Sequence, residues 1–172
     1  MNGFLLLIPL IVIRYGLLGL LNKDALKRAA FFPPLIGKEK TAFWFYQSAT
    51  LLIFLYLCFL KINIDSMWFY PGAAVYGLGI LLCIVSTADF AKPAENGISF
   101  KGIYRVSRNP LYVAYFIYFM ACFLLTQSLI LLAFVLVFQL SAHWIILSEE
   151  RWCIGEFGQA YRSYMEKVRR YI

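Results

Sequence analysis

Five runs of this chain are apolar around every helical face: about 3–21, 42–60, 68–88, 110–125 and 129–147. A helix of a soluble protein shows a polar face at a period of 3.6 residues, and none of these runs does. Most are close to the roughly 20 residues that a membrane crossing needs. The composition agrees: 62% of the 172 residues are hydrophobic and 15% charged, against roughly 45–50% and ~25% in an ordinary domain. A single core of this size cannot bury that excess, because a small domain is mostly surface. A soluble protein, a disordered chain and a secreted disulfide scaffold are thereby excluded. Cys58, Cys83, Cys122 and Cys153 form no CxxC pair, and three of them lie in apolar runs, where cysteine packs as a small hydrophobe.

The predicted fold is all-α and integral to the membrane. It is a bundle of five transmembrane helices with a cytoplasmic amphipathic C-terminal helix, and residues 1–172 form one membrane domain. Only Thr126-Gln127-Ser128 separates the last two runs, so those helices are expected to pack antiparallel as a hairpin. The first run has no basic residue ahead of it and no obvious small-residue cleavage site, so it reads as a retained helix and not as a signal peptide.

Charge predicts the orientation. Fourteen of the sixteen Lys and Arg residues fall between runs one and two, between runs three and four, or after run five. Lys61 alone falls on the other side, and Arg14 lies inside the first run. The positive-inside rule makes the basic side cytoplasmic, with the N-terminus outside and the C-terminus inside. The net charge of +7 is then topology and headgroup attraction, and its spread over three membrane-adjacent segments speaks against nucleic-acid binding. The extramembrane segments are 89–109, rich in turn formers, and 148–172. In the latter, Phe157, Tyr161, Tyr164, Met165 and Val168 recur at helical spacing between basic residues. That pattern suits a helix lying on the membrane or on the bundle.

Gly72, Tyr76, Gly79, Cys83 and Ser86 share one face of the third run, where small side chains let a neighbouring helix approach. Arg14 lies about seven residues from the cytoplasmic end of its helix, or roughly 10 Å at 1.5 Å per residue. Snorkelling to the interface is favoured there over a substrate contact. In the fifth run Gln139, His143, Ile146 and Glu150 fall within one wedge of the helix and make a polar stripe ending in a carboxylate, with Glu149 pointing about 100° away. His143 is the only histidine. One histidine cannot build a multi-His metal site, so no metal is expected. Alone, His143 reads equally well as a helix-packing residue.

Residues 102–112 read Gly-Ile-Tyr-Arg-Val-Ser-Arg-Asn-Pro-Leu-Tyr. Pro110 suits the first turn of a helix, and Asn109 is predicted to cap it. With Arg105 and Arg108 beside the helix start, this is an attractive place for a carboxylate or other anion, or else a basic loop flanking the membrane.

That segment, the two-helix hairpin, Ser148-Glu149-Glu150-Arg151 and the Phe157–Arg170 tail together resemble the family of isoprenylcysteine carboxyl methyltransferases and phospholipid methyltransferases. These are membrane enzymes that take a methyl group from S-adenosylmethionine. The resemblance implies that 89–109 and 148–172 are cofactor-binding elements. It assigns to the cofactor Asn96, Gly97, Ile98 and Ser99, then Gly102 and Tyr104, then Arg108, Asn109, Pro110, Leu111 and Tyr112. It adds the acidic pair Glu149 and Glu150, with the second as the principal contact, and the Gly77/Gly79 pair resembles one in the phosphatidylethanolamine enzymes. Glu150, Arg108 and His143 are the expected catalytic residues. The eukaryotic isoprenylcysteine enzymes have an arginine where this chain has Ile146, which makes a prenylcysteine acceptor less expected; they often have a histidine where it has Asn109, and asparagine cannot titrate near neutrality, so no proton-transfer role is expected there.

The resulting expectation is a methyltransferase using S-adenosylmethionine, with S-adenosylhomocysteine as product. Its acceptor would be a lipid or small lipophilic carboxylate, thiol or amine at the cytoplasmic interface. The alternatives are an NADPH-dependent reductase of sterol type, which usually has more helices, and a non-enzymatic ligand-binding membrane protein of the same fold.

Overall fold

The computed structural model describes residues 1–92 and 99–172. Helix α1, Gly3–Leu21, starts where the Asn2 side chain accepts from the Phe4 amide at 2.7 Å. It passes through a π turn over Val12–Leu17. Asn22 is extended and ends it, then caps the short α2, Lys23–Ala29, by accepting from the Asp24 and Ala25 amides. Helix α3, Lys38–Leu57, follows Gly37, whose φ of 53° suits glycine. Helix α4 is Phe69–Phe90, a 3-10 turn covers Gly102–Arg105, α5 is Pro110–Thr126, and α6 is Leu129–Lys167.

Among the described residues three helices, α1, α4 and α6, are long and apolar enough to cross a membrane, and α5 is a shorter apolar helix. Large apolar side chains point outward along them and along α3, including Trp44, Leu51, Leu81 and Leu140. Water would not tolerate that surface on a stable monomer. The chain is an integral, multi-pass, all-α membrane protein.

Two expectations change here. The fifth helix does not stop near 147: the same helix runs through Ser148-Glu149-Glu150 and is interrupted only at Gly158, with φ 55° and ψ −126°. The polar residues after 147 have high helix propensity, so a change in hydropathy did not mark a change in backbone. The hairpin does form, with Gln127 left-handed and Ser128 capping α6 through the Leu131 amide. Its two arms, however, are not each other's main partners. Helix α5 packs most extensively on α4, and α6 on α3.

The small-residue face explains the first pairing. A Cβ on Gly79 would lie 2.9 Å from the Tyr118 Cα, and one on Gly72 would lie 3.1 Å from Leu125. Backbones this close gain dispersion contact that lipid cannot supply. Cys83 and Ser86 are buried on the same face. The Tyr76 hydroxyl lies 3.1 Å from that of Tyr118, and both donate to the Leu6 carbonyl, which ties α1 to the pair. Opposite, Tyr46 stacks on Phe138 with centroids 5.0 Å apart, joining α3 to α6.

The two ends of the bundle differ. At one, Gly3 and Ile62 amides bond to Leu60 and Met1 carbonyls, and Asn63 to Leu125, fastening the N-terminus to the segment around Lys61. The other end gathers α2, the loop to α3, residues 99–109 and the C-terminal part of α6, and it is hollow.

Candidate active site

The hollow is a cavity of about 720 Å³, within the range of small-molecule sites. Its lining comes from every element at that end. Arg14 comes from α1, and Lys27 and Arg28 from α2. Phe31, Phe32 and Tyr46 follow from the next loop and α3. Ser99, Tyr104, Arg108 and Asn109 come from the loop before α5, and Leu111, Tyr112 and Tyr115 from α5. Helix α6 adds Glu149, Trp152, Cys153, Glu156, Phe157, Tyr161 and Tyr164.

The loop that presents Tyr104 is held by Asp89. Its carboxylate accepts from the Ile103 amide at 2.8 Å, and its carbonyl accepts from the Ser99 hydroxyl at 3.3 Å. This needs glycine at 102: φ is +59°, and a Cβ there would fall 1.9 Å from the Asp89 Oδ2. Tyr164 donates to the Tyr104 carbonyl at 2.6 Å, and Phe100 packs on the Tyr164 ring. Burial pushes the Tyr104 hydroxyl above its ordinary pKa, so it stays a neutral donor.

The two adjacent acids part company. Glu149 faces the cavity and accepts from the Tyr112 hydroxyl at 2.7 Å. Glu150 is buried away from it. Its Oε1 lies 2.9 Å from Arg108 Nη2 and its Oε2 lies 2.8 Å from Arg170 Nη2, and Asn109 Nδ2 approaches Oε1 at 3.5 Å. The Arg108 Nη1 also donates to the Met165 and Val168 carbonyls, and its amide donates to the Arg169 carbonyl. The polar stripe on α6 therefore faces the returning C-terminal tail. His143 belongs to it: its Nδ1 lies 2.7 Å from the Tyr171 hydroxyl, and the residue is not part of the cavity wall. The Gln139 Oε1 is buried with no hydrogen-bond partner among the described residues.

Asn109 occupies the cap position of α5, with Pro110 following, but its side chain does not cap. It donates to Glu150 and to the Arg170 carbonyl, while the Ser107 hydroxyl accepts from the Asn109 amide. With Nδ2 drawn to the Arg170 carbonyl and Glu150, the Asn109 amide is turned so that its oxygen makes no capping bond to the α5 amides. Arg14 lines the cavity at that end of the bundle, donating to the Ala29 carbonyl of α2 at 2.7 Å and lying 6.0 Å from the centre of the Tyr115 ring. The π turn around it gives the local reason, since such turns re-aim a side chain without ending a helix.

Of the residues singled out in the sequence, Ser99, Tyr104, Arg108, Asn109, Leu111, Tyr112 and Glu149 converge on the cavity. Gly102, Pro110, Glu150 and His143 stand behind its wall or apart from it. Asn96, Gly97 and Ile98 lie outside the described residues. Sequence reasoning missed Asp89, Arg170 and Tyr171, whose partners are 14 to 28 residues away. It also missed Glu39, which accepts from Arg151 Nη2 at 2.7 Å and from the Ile36 amide, fastening the α2–α3 loop to α6.

The fold is thus a bundle of membrane helices hollowed at its basic end, where an aromatic wall carries Arg14, Lys27, Arg28, Arg108, Glu149 and Glu156 and leaves room for a cofactor-sized molecule. A family model described as phospholipid methyltransferase matches residues 72–160, just over half of the chain, and the chain belongs to that family. None of the curated proteins matches it, and no solved structure does. It is thus a membrane methyltransferase that uses S-adenosylmethionine and acts near the membrane interface.

The cavity suits that cofactor chemically. Aromatic faces attract a sulfonium and stack on a purine. Its carboxylates, Glu149 and Glu156, can take hydroxyl or ammonium groups, and guanidinium groups can take a carboxylate.

Proposed function

We propose that this enzyme transfers the methyl group of S-adenosylmethionine to a lipophilic acceptor, an amine, carboxylate or thiol, at the cytoplasmic face of the membrane. The observation that carries this is the cavity itself. It is walled largely by the family-matched segment and stands at the end of the bundle where the basic residues gather. The arrangement supports five crossings, with α3 and α5 completing the set, an external N-terminus and a cytoplasmic C-terminus.

Within this reading the residues to hold the cofactor are Tyr104, Asn109, Leu111, Tyr112 and Glu149, with Ser99 at the rim and Asn96, Gly97 and Ile98 in the adjoining segment. Glu149 is the acid that faces the ligand, held in one orientation by Tyr112. Glu150 and Arg108 are positioning residues: they fix the loop before α5 and the tail behind it. The cofactor, when bound, supplies a methyl group on a cationic sulfur, an already activated donor. The protein then has three tasks: to align the nucleophile with the methyl–sulfur axis, to exclude water, and to take a proton where the acceptor is an amine. Tyr46, Tyr112, Tyr115 and Phe157 exclude water. Glu149 is the proton acceptor for an amine, while a carboxylate or thiolate acceptor needs none. His143, next to Tyr171, supports the tail.

Isothermal titration of the purified protein with S-adenosylhomocysteine and with NADPH tests the reading. Binding of S-adenosylhomocysteine alone is expected. Binding of NADPH alone would transfer the site to the reductase class.

A further inference from the structure

Three consecutive residues ahead of α5 direct donors at the tail that follows α6. The Ser107 hydroxyl donates to the Arg170 carbonyl at 3.4 Å. The Arg108 amide donates to the Arg169 carbonyl at 3.0 Å, and its Nη1 to the Met165 and Val168 carbonyls. Asn109 Nδ2 donates to the Arg170 carbonyl at 3.2 Å. Arg108 and Asn109 line the cavity. Residues 106–109 stand between the 3-10 turn and α5 and belong to neither, so their polar groups depend on partners from elsewhere in the chain. The tail is in turn fixed to α6 by two side chains. Arg170 Nε and Nη2 donate to Glu150 Oε2 at 3.1 and 2.8 Å, and the Tyr171 hydroxyl lies 2.7 Å from His143 Nδ1. His143 and Glu150 are two helical turns apart on one face. The polar stripe of α6 is therefore a seat for the tail, and Gly158, with its positive φ, lets the chain turn back to reach it.

We propose that residues 168–172 are a strap that positions Arg108 and Asn109 for the cofactor, so that Arg170 and Tyr171 are positioning residues and cofactor affinity depends on how firmly the tail sits on α6. This deepens the methyltransferase reading and rests on it for the place of the cofactor. The strap touches the loop through its backbone carbonyls and α6 through its side chains, so weakening either side chain loosens the carbonyls that hold Arg108 and Asn109. The coupling is reciprocal: a ligand that orders these two wall residues must also order the strap behind them. A basic anchor on anionic headgroups would need only positive charge in the tail. The strap needs the Arg170 fork, which lysine reproduces in part, and the Tyr171 hydroxyl, which carries no charge. Lys167 separates the two roles: it is exposed, one turn before the Arg170 position, and makes no ion pair among the described residues.

The test uses the full chain in neutral detergent, with S-adenosylhomocysteine as probe. Its affinity is read by titration, and amide hydrogen exchange is followed by mass spectrometry over residues 103–109 and 165–172. In the wild type the probe should slow exchange in both segments, the second of which lies behind the cavity wall. Tyr171→Phe combined with Arg170→Ala should weaken the probe about fivefold or more and, without any ligand, speed exchange in 103–109 about tenfold (order-of-magnitude expectations from the loss of a seat worth roughly one charge-assisted and one neutral hydrogen bond). Arg170→Lys should recover part of the affinity, and Lys167→Ala should leave it unchanged. Affinity in the folded double variant equal to that of the wild type would overturn the proposal. So would an equal loss in Lys167→Ala and Arg170→Ala, which would make the tail a charge anchor. Wild-type protein that binds the probe without protection in 165–172 would overturn it even if no variant folds. A wild type that does not bind the probe, with exchange in 103–109 still responding to the double variant, would keep the strap on the loop and remove the methyltransferase reading of the cavity.

Discussion

Removing the Glu150 carboxylate should damage the protein in a way that removing its neighbour's does not. The Glu150 side chain is 4% exposed and the Arg108 side chain 8%. Glu150→Ala therefore strands a buried guanidinium, which typically costs about 3–5 kcal/mol. Arg170 is 32% exposed. Arg170→Ala leaves Arg108 and Glu150 paired, so its cost should be about 1 kcal/mol after solvent screening. For a chain of this size ~1 kcal/mol moves the unfolding midpoint by roughly 2–4 °C. Glu150→Ala should then lower it by roughly 6 °C or more, Arg170→Ala by a few degrees, and Glu149→Gln by little. Cofactor affinity should rank differently. Glu149→Gln should weaken S-adenosylhomocysteine binding about tenfold or more, the loss of one charge-assisted hydrogen bond of roughly 1.5–3 kcal/mol. Thermal unfolding in detergent and titration of the same preparations give both numbers. If Glu150→Ala keeps its unfolding midpoint while losing cofactor affinity, and Glu149→Gln binds normally, the acid that faces the ligand is Glu150 and the positioning role is refuted.

Three further outcomes follow from contacts elsewhere. Gly79→Ala forces a Cβ to 2.9 Å from the Tyr118 Cα, so α4 and α5 must separate, and the variant should unfold several degrees lower in detergent. An unchanged midpoint would mean that the pair is not packed this closely. The Arg151 guanidinium, by hydrogen bonding, holds the Glu39 carboxyl below its ordinary pKa against the opposing effect of burial. Its contribution is thus fully present above the unfolded carboxylate pKa of roughly 4.3 and is lost as pH falls through the lower folded value. Glu39→Gln should be less stable than the wild type at pH 7, with the difference shrinking in acid; a difference that grows in acid would contradict the pairing. A reporter fused at the C-terminus should be active only on the cytoplasmic side, and activity outside would reverse the proposed topology.

Much of this molecule was legible because lipid imposes a simple rule on sequence. Apolar runs without a polar face marked the helices, and the Gly72–Ser86 face marked where a neighbouring helix approaches α4, though not which one. Positions that depend on pairing across the chain were harder to read. The Gln139–Glu150 stripe was correctly seen as polar and directed, but spacing cannot say toward what. Its partners, Arg170 and Tyr171, return only because Gly158 breaks α6. Asn109 has the residue type of a cap, and only the proximity of Glu150, 41 residues on, shows why it does something else. The π turn over Val12–Leu17 leaves no clear signature in the sequence, so the place of Arg14 in the cavity wall could not be read from spacing.

The account rests most directly on methyl transfer itself. Purified protein in detergent, given methyl-labelled S-adenosylmethionine and either a membrane lipid extract or an extract of soluble metabolites, should place label in the lipid extract and release S-adenosylhomocysteine in equal amount. Glu149→Gln should reduce both together. Label only in the soluble pool, or none in either with folded protein that does not bind S-adenosylhomocysteine, would contradict the account.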